Sequence, residues 1–131
     1  MVDGKLPYAN DYQKLLAYIL AVELADHVFT LSETFPREEI YSLTNQIRRA
    51  SRSVGAQIAE AWGKRSYVKH FKSKLTDAIA ELNETVHWIE IAYRCSYIPE
   101  QTRIDLIETC WRINKLVYGM KGKADLFYTD K

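Results

Sequence analysis

Glu84 and His87 stand three residues apart, a spacing that brings a carboxylate and an imidazole to one side of a helix. It is part of the ligand motif of a di-metal carboxylate centre, which needs a second Glu-x-x-His and a further glutamate from each of two other helices. Tyr67 stands three before His70 and Leu24 three before His27, so the second pair is missing and no metal or cofactor is expected. His87 is expected on a helix surface beside Glu84 and Glu90. Nucleophilic chemistry has as little support. Cys95 and Cys110 fit no CxxC spacing and carry no local signature, and read as free, half-buried thiols of a reducing compartment. Gly55 to Gly63-Lys64 lacks the spacing of a phosphate loop, and no strand precedes it. No enzyme is expected.

Basic chemistry remains. Taking about 100° per residue, Arg48, Arg52 and Arg49 fall roughly 100°, 140° and 200° around a helix from Ile47, on the arc away from a core that Ile47 faces. Beyond the end of that helix come Lys64, Arg65, Lys69, Lys72 and Lys74. From Arg48 to Lys74 there are eight basic residues against one acid, Glu60. Their counter-charge can come from Asp77, Glu81 and Glu84 on the next helix, from another subunit, or from a phosphate backbone. The candidate nucleic-acid contacts are Arg48, Arg49, Arg52, Lys64, Arg65, Lys69 and Lys72, binding phosphate without reading bases. Ser51, Gly55, Ala59 and Gly63 recur every four residues as a row of small side chains. A mid-helix glycine costs about 1 kcal/mol against alanine, offset where a second helix packs closely, either within the bundle or in another subunit. Trp88 flanks the apolar positions Val86 and Ile89, and suits a contact between helices or between subunits.

The elements that must position these residues are helices. Gly and Pro together number only 8 of 131, so connections are few and elements long. Apolar residues at spacings of three and four predict helices over about 11–33, 37–63, 67–95 and 100–118, followed by a tail over 119–131. Asn10 or Asp11 is the expected first cap, Thr34-Phe35-Pro36 the first break, and Ser66 the cap of the third helix. The inner rows are expected to be Leu16, Ile19, Leu20, Leu24, Val28 and Leu31; then Leu43, Ile47, Ala50, Val54, Ile58 and Ala61; then Phe71, Leu75, Ala78, Leu82, Val86, Ile89 and Tyr93. On the fourth helix they are Ile104, Ile107, Trp111, Asn114 and Tyr118, with Leu126, Phe127 and Tyr128 of the tail able to dock. The fold class is all-α: one antiparallel up-down-up-down four-helix-bundle domain.

Net charge is +1, but its distribution is uneven: residues 1–36 carry −3, 37–74 carry +6, 75–110 carry −5 and 111–131 carry +3. A local excess of this size points to a partner rather than to a fold. The N-terminal residues have neither a basic start nor an apolar stretch, and no run approaches the ~18 apolar residues of a membrane span. A cytoplasmic chain without signal peptide or membrane association is expected.

Residues 43–61 resemble the signature of the bacterial four-helix-bundle family of 23S rRNA intervening-sequence proteins, close to Leu-x-x-Gln-x-x-Arg-Ala-x-x-Ser-x-x-x-Asn-Ile-Ala-Glu-Gly. The matches are Leu43, Gln46, Arg49, Ala50, Ser53, Ile58, Ala59 and Glu60. Gln57 stands where the family has Asn, Ala61 where it has Gly, and Gly55 where it usually has Pro. Phe35-Pro36 with Glu39, then Phe71, Leu75 and Glu81-Leu82-Asn83-Glu84-Thr85, extend the likeness over about residues 12–118. The resemblance implies a cytoplasmic homopentamer without known catalytic activity. The bundle also resembles the accessory variability determinant of diversity-generating retroelements, a basic pentameric barrel that binds nucleic acid and a reverse transcriptase. Two functions follow as expectations: an oligomer binding RNA or DNA backbone, or a protein-interaction scaffold or reverse-transcriptase accessory protein.

Overall fold

The computed structural model of the chain describes residues 11–127, which hold five α-helices and no strand. They are α1 (Leu16–Ser32), α2 (Leu43–Gly63), α3 (Val68–Arg94), α4 (Glu100–Gly122) and α5 (Ala124–Phe127). Short links make α1 to α4 run up, down, up and down, and α1 closes the bundle against α4. Tyr18 of α1 lies against Gly55 of α2, and Phe127 beyond α4 lies against Trp62 and Phe71. The start of α1, the end of α2, the start of α3 and the end of α4 therefore share one end of the bundle.

One buried apolar cluster joins all four long helices. Val28, Ile47, Ile58, Phe71, Leu82 and Ile113 are fully enclosed, and each such side chain stabilises the fold by roughly 1.5–3 kcal/mol. The inner rows of α2 and α3 follow the seven-residue repeat, with one local change. Thr85 and Ala92 are fully buried, while Val86 and Tyr93 sit half-buried at the margin. The Thr85 hydroxyl is satisfied by donating to the Glu81 carbonyl at 2.8 Å.

The structure differs from expectation at several helix starts. Asp11 caps a 3₁₀ turn over Tyr12–Lys14, accepting from the Gln13 N–H at 2.8 Å, and extended Leu15 separates that turn from α1. Residues 37–39 form a 3₁₀ turn of their own, and α2 begins only at Leu43. Glu39 accounts for the delay. Its carboxylate accepts from the Ser42 hydroxyl at 2.6 Å and from the Leu43 N–H at 3.3 Å, filling the role of a cap. Tyr97 donates to the same carboxylate at 2.8 Å, tying the α1–α2 link to the α3–α4 turn. The three bonds hold Glu39 below the ordinary carboxylate range, and the hydrogen bond to Glu39 pushes Tyr97 up to about 12. Tyr67, not Ser66, occupies the cap position of α3.

The largest departures concern helix faces. In α1, Ile19 points outward and the small Ala17 and Ala21 point in. In α4 the buried row is Leu106, Cys110, Ile113, Val117 and Met120, while Ile104, Trp111 and Tyr118 are exposed and Ile107 and Asn114 half-buried. α4 carries two overlapping apolar rows, and the one with the smaller side chains is the one enclosed. Cys110 is fully buried rather than half-buried, and burial pushes its thiol up to about 12; Cys95 is exposed. The expected tail is largely helical: α4 runs through Gly119 to Gly122, and α5 brings Phe127 into the core. Asn10, Tyr128 and the Leu126 side chain fall outside the described residues.

Candidate nucleic-acid interface

The basic residues form two groups. Arg48, Arg49 and Arg52 lie in the first half of α2, and Lys64, Arg65, Lys69 and Lys72 surround the α2–α3 turn. Lys64 follows Arg52 by twelve positions along the helix, a distance of about 18 Å. Between them Glu60 pairs with Lys74, which also reaches Asp77.

The three arginines line one open groove, but their guanidinium groups engage different neighbours. Arg48 turns toward α1, where its Nε donates to the Ser32 hydroxyl at 2.7 Å and its guanidinium lies 4.5 Å from the Phe29 ring centre. Arg52, one turn on, sits over the same ring at 5.2 Å. Neither makes an ion pair among the described residues, and together they line an open groove with Ile40, Thr44 and Asn45. Arg49 turns the other way and pairs with Glu84 and Glu81 of α3. The Trp88 indole N–H also donates to Glu84 at 3.0 Å, and with Arg49 it holds that carboxyl below its ordinary value. Glu84 in turn raises Arg49. Arg49 is thus ion-paired within the subunit, while its side chain stays about half exposed.

At the α2–α3 turn, Arg65 stacks on Trp62 at 4.0 Å and donates to the Trp62 carbonyl at 2.8 Å. Partial burial pulls its guanidinium below the ordinary arginine value, though not far enough to discharge it. Lys64, Lys69 and Lys72 are exposed and make no ion pair among the described residues. Tyr67 of the same turn is exposed, with the His70 ring edge-on at 5.9 Å. Sequence reasoning passed over Phe29 and Tyr67, for nothing in one chain's spacing shows which arginines a distant ring will carry.

The row of small residues divides as well. Ser51 is fully buried, and a Cβ on Gly55 would meet Tyr18 at 3.6 Å and Ala21 at 3.8 Å. Both positions are used in packing α2 on α1, so they are not surfaces for a second subunit. Ala59 is half-buried, and Gly63 has open space around it. Trp88 is half-buried against the core at the α2–α3 seam, its edge toward His87 at 4.7 Å. Among the described residues, no three His, Cys, Asp or Glu side chains converge on a common point, and no helix is long and apolar enough to cross a membrane.

The model of the 23S rRNA-intervening sequence protein family matches residues 13–119. Among solved structures, the chain is similar to a protein of unknown function from the S23 ribosomal protein family of Bacteroides thetaiotaomicron VPI-5482. The two share 29% identity at a TM-score of 0.74, over 82% of this chain and 96% of that one. No curated protein matches the sequence.

Proposed function

The chain belongs to the family of 23S rRNA-intervening sequence proteins, and for this member we propose a non-enzymatic role as a homo-oligomer that binds the phosphate backbone of RNA or DNA. One observation carries the reading: Lys64, Lys69 and Lys72 are exposed at the end of the bundle where α2 turns into α3, near exposed Tyr67, and make no ion pair among the described residues. Cations left without acidic partners suit phosphate, and an exposed ring near them suits a stacked base. Arg48 and Arg52, held on Phe29, form a second and more distant basic group.

Each phosphate neutralised adds roughly 0.7–0.9 to the slope of log affinity against log salt. Replacing Lys64, Lys69 and Lys72 together by Ala is therefore expected to weaken binding and flatten that slope by about 2–3. Fluorescence anisotropy on an RNA hairpin and on single- and double-stranded DNA, at several salt concentrations, measures both. Absence of binding by the wild type at low salt, or an unchanged slope in the triple variant, overturns the reading. Arg49→Gln should leave affinity alone, because that guanidinium is occupied by Glu84 and Glu81.

A protein-interaction scaffold is the second reading. The exposed apolar row on α4 favours it. It keeps the assembly and loses the salt-dependent binding.

A further inference from the structure

We propose that Arg48 and Arg52 clamp a phosphate monoester, the terminal phosphate of a nucleotide or of a nucleic-acid strand, in the groove along the first half of α2. The inference rests on the phosphate-binding reading above and gives its second basic group a ligand distinct from the backbone phosphates assigned to the lysines.

Both arginines are held by neutral partners. Ser32 is 3% exposed, and its hydroxyl donates to the Phe29 carbonyl at 2.9 Å. Its proton is therefore committed, and its oxygen accepts from Arg48 Nε at 2.7 Å. That bond takes one of the five N–H donors of the guanidinium. Those on the two terminal nitrogens have no partner among the described residues. The Phe29 ring supports Arg48 and Arg52 together, at 4.5 Å and 5.2 Å from its centre. The two stand four positions apart, one helical turn, so their side chains are neighbours on one side of α2. Acids line the adjoining depressions, Glu33 beside Arg48 and Asp26 beside Arg52. Among the described residues neither acid forms an ion pair with these arginines. Guanidiniums fixed by a ring and a hydroxyl, with their charge unspent, bind an anion without first losing rotamer freedom.

Charge and shape select the ligand. A phosphate monoester carries about −1.5 to −2 at pH 7 and three terminal oxygens, which matches two guanidinium forks. An internal phosphodiester has a single charge and two free oxygens, enough for one fork. A carboxylate likewise satisfies one arginine and leaves the other unmatched. The groove also has room beyond the phosphate. Its volume is about 570 Å³, within the range of roughly 300–1,000 Å³ of small-ligand sites. Ile40, 50% exposed, gives it an apolar wall for a sugar or base, and Asn45 and Ser53 add neutral hydrogen-bonding groups.

Fluorescence anisotropy on a short RNA with a terminal phosphate, and on the same RNA ending in a hydroxyl, tests the clamp. The phosphorylated strand is expected to bind at least about 10-fold more tightly, the gain from a charge-assisted pair. Arg48→Gln and Arg52→Gln should each remove that preference. Arg52 makes no hydrogen bond or ion pair among the described residues, so Arg52→Gln keeps the fold, checked by circular dichroism. Arg48→Lys, which retains the charge and loses the fork, should remove most of the preference as well. Replacing Lys64, Lys69 and Lys72 together by Ala should weaken both RNAs and leave their ratio unchanged. Calorimetry with adenosine monophosphate, against adenosine, separates the two sources of the phosphate. Affinity equal to that of the phosphorylated RNA marks a nucleotide site, and much weaker binding marks a strand end. Equal affinity for the two RNA ends, without binding of adenosine monophosphate, overturns the clamp alone. So does a preference that survives both glutamine variants, or displacement by a peptide of paired aspartates and not by adenosine monophosphate. Absence of binding by both RNAs and by the nucleotide overturns the clamp together with the backbone reading.

Discussion

Ser96 adopts a φ of 65°, a left-handed conformation that favours glycine, because of how α3 must end. Its N–H donates to the Tyr93 carbonyl and the Tyr97 N–H to the Ala92 carbonyl, each at 2.9 Å. These two bonds satisfy carbonyls that the last turn would leave open, and they require the residue between to take a positive φ. The turn they make aims Tyr97 at Glu39, so a backbone constraint at one residue supports the clamp across this end of the bundle. A Cβ in this conformation costs roughly 1 kcal/mol. Ser96→Gly is accordingly expected to raise the unfolding free energy by about 0.5–1 kcal/mol, read from denaturant midpoints at unchanged slope. A fall in stability would show that the serine side chain contributes more than its backbone costs.

Among the elements, α2 and α3 were legible in the sequence to within a few residues at most ends. Each carries a single seven-residue repeat, and Gly63 and Ser96-Tyr97-Ile98-Pro99 mark where they stop. α4 was legible as a helix but not in orientation, because Ile104, Trp111 and Tyr118 keep the same period as the row that is buried. Periodicity finds an apolar stripe, and only the neighbouring helices decide which of two stripes is enclosed. The same limit applied to the site. Arg49 meets Glu84 thirty-five positions away, and Arg48 meets Phe29 across the α1–α2 seam, so their roles depend on tertiary placement. α5 is the element that spacing alone treated as a tail. Its Phe127 is 7% exposed and packs 5.5 Å from Phe71 and 6.4 Å from Trp62, closing the end of the core beside the basic turn. Phe127→Ala is expected to destabilise the bundle by about 3 kcal/mol, seen as a lower thermal midpoint. A midpoint within a degree or so of wild type would mean that α5 contributes nothing to the core.

At the scale of the molecule, a net charge of +1 conceals an arrangement that assembly would amplify. Lys64, Lys69 and Lys72 lie at one end of the bundle, where α2 turns into α3. In a ring generated by pure rotation, every copy of the basic turn would stand on one rim, at one height. A polyanion that contacts one rim site would then find the next at high effective concentration, and binding would strengthen with its length without any new kind of contact. Comparing the wild type with Ile19→Glu, which sets a charge on an exposed apolar position of α1 to disrupt assembly, on RNAs of different length separates local chemistry from assembly. On an RNA too short to span two subunits, the two proteins should bind equally per subunit. On one long enough to cross several, the monomeric variant should bind about 10²-fold more weakly, and the difference should shrink as salt rises. Equal loss on short and long RNA would place Ile19 in the binding surface itself. No loss on either would show that each basic turn acts alone, leaving three lysines and their neighbours to supply all of the affinity.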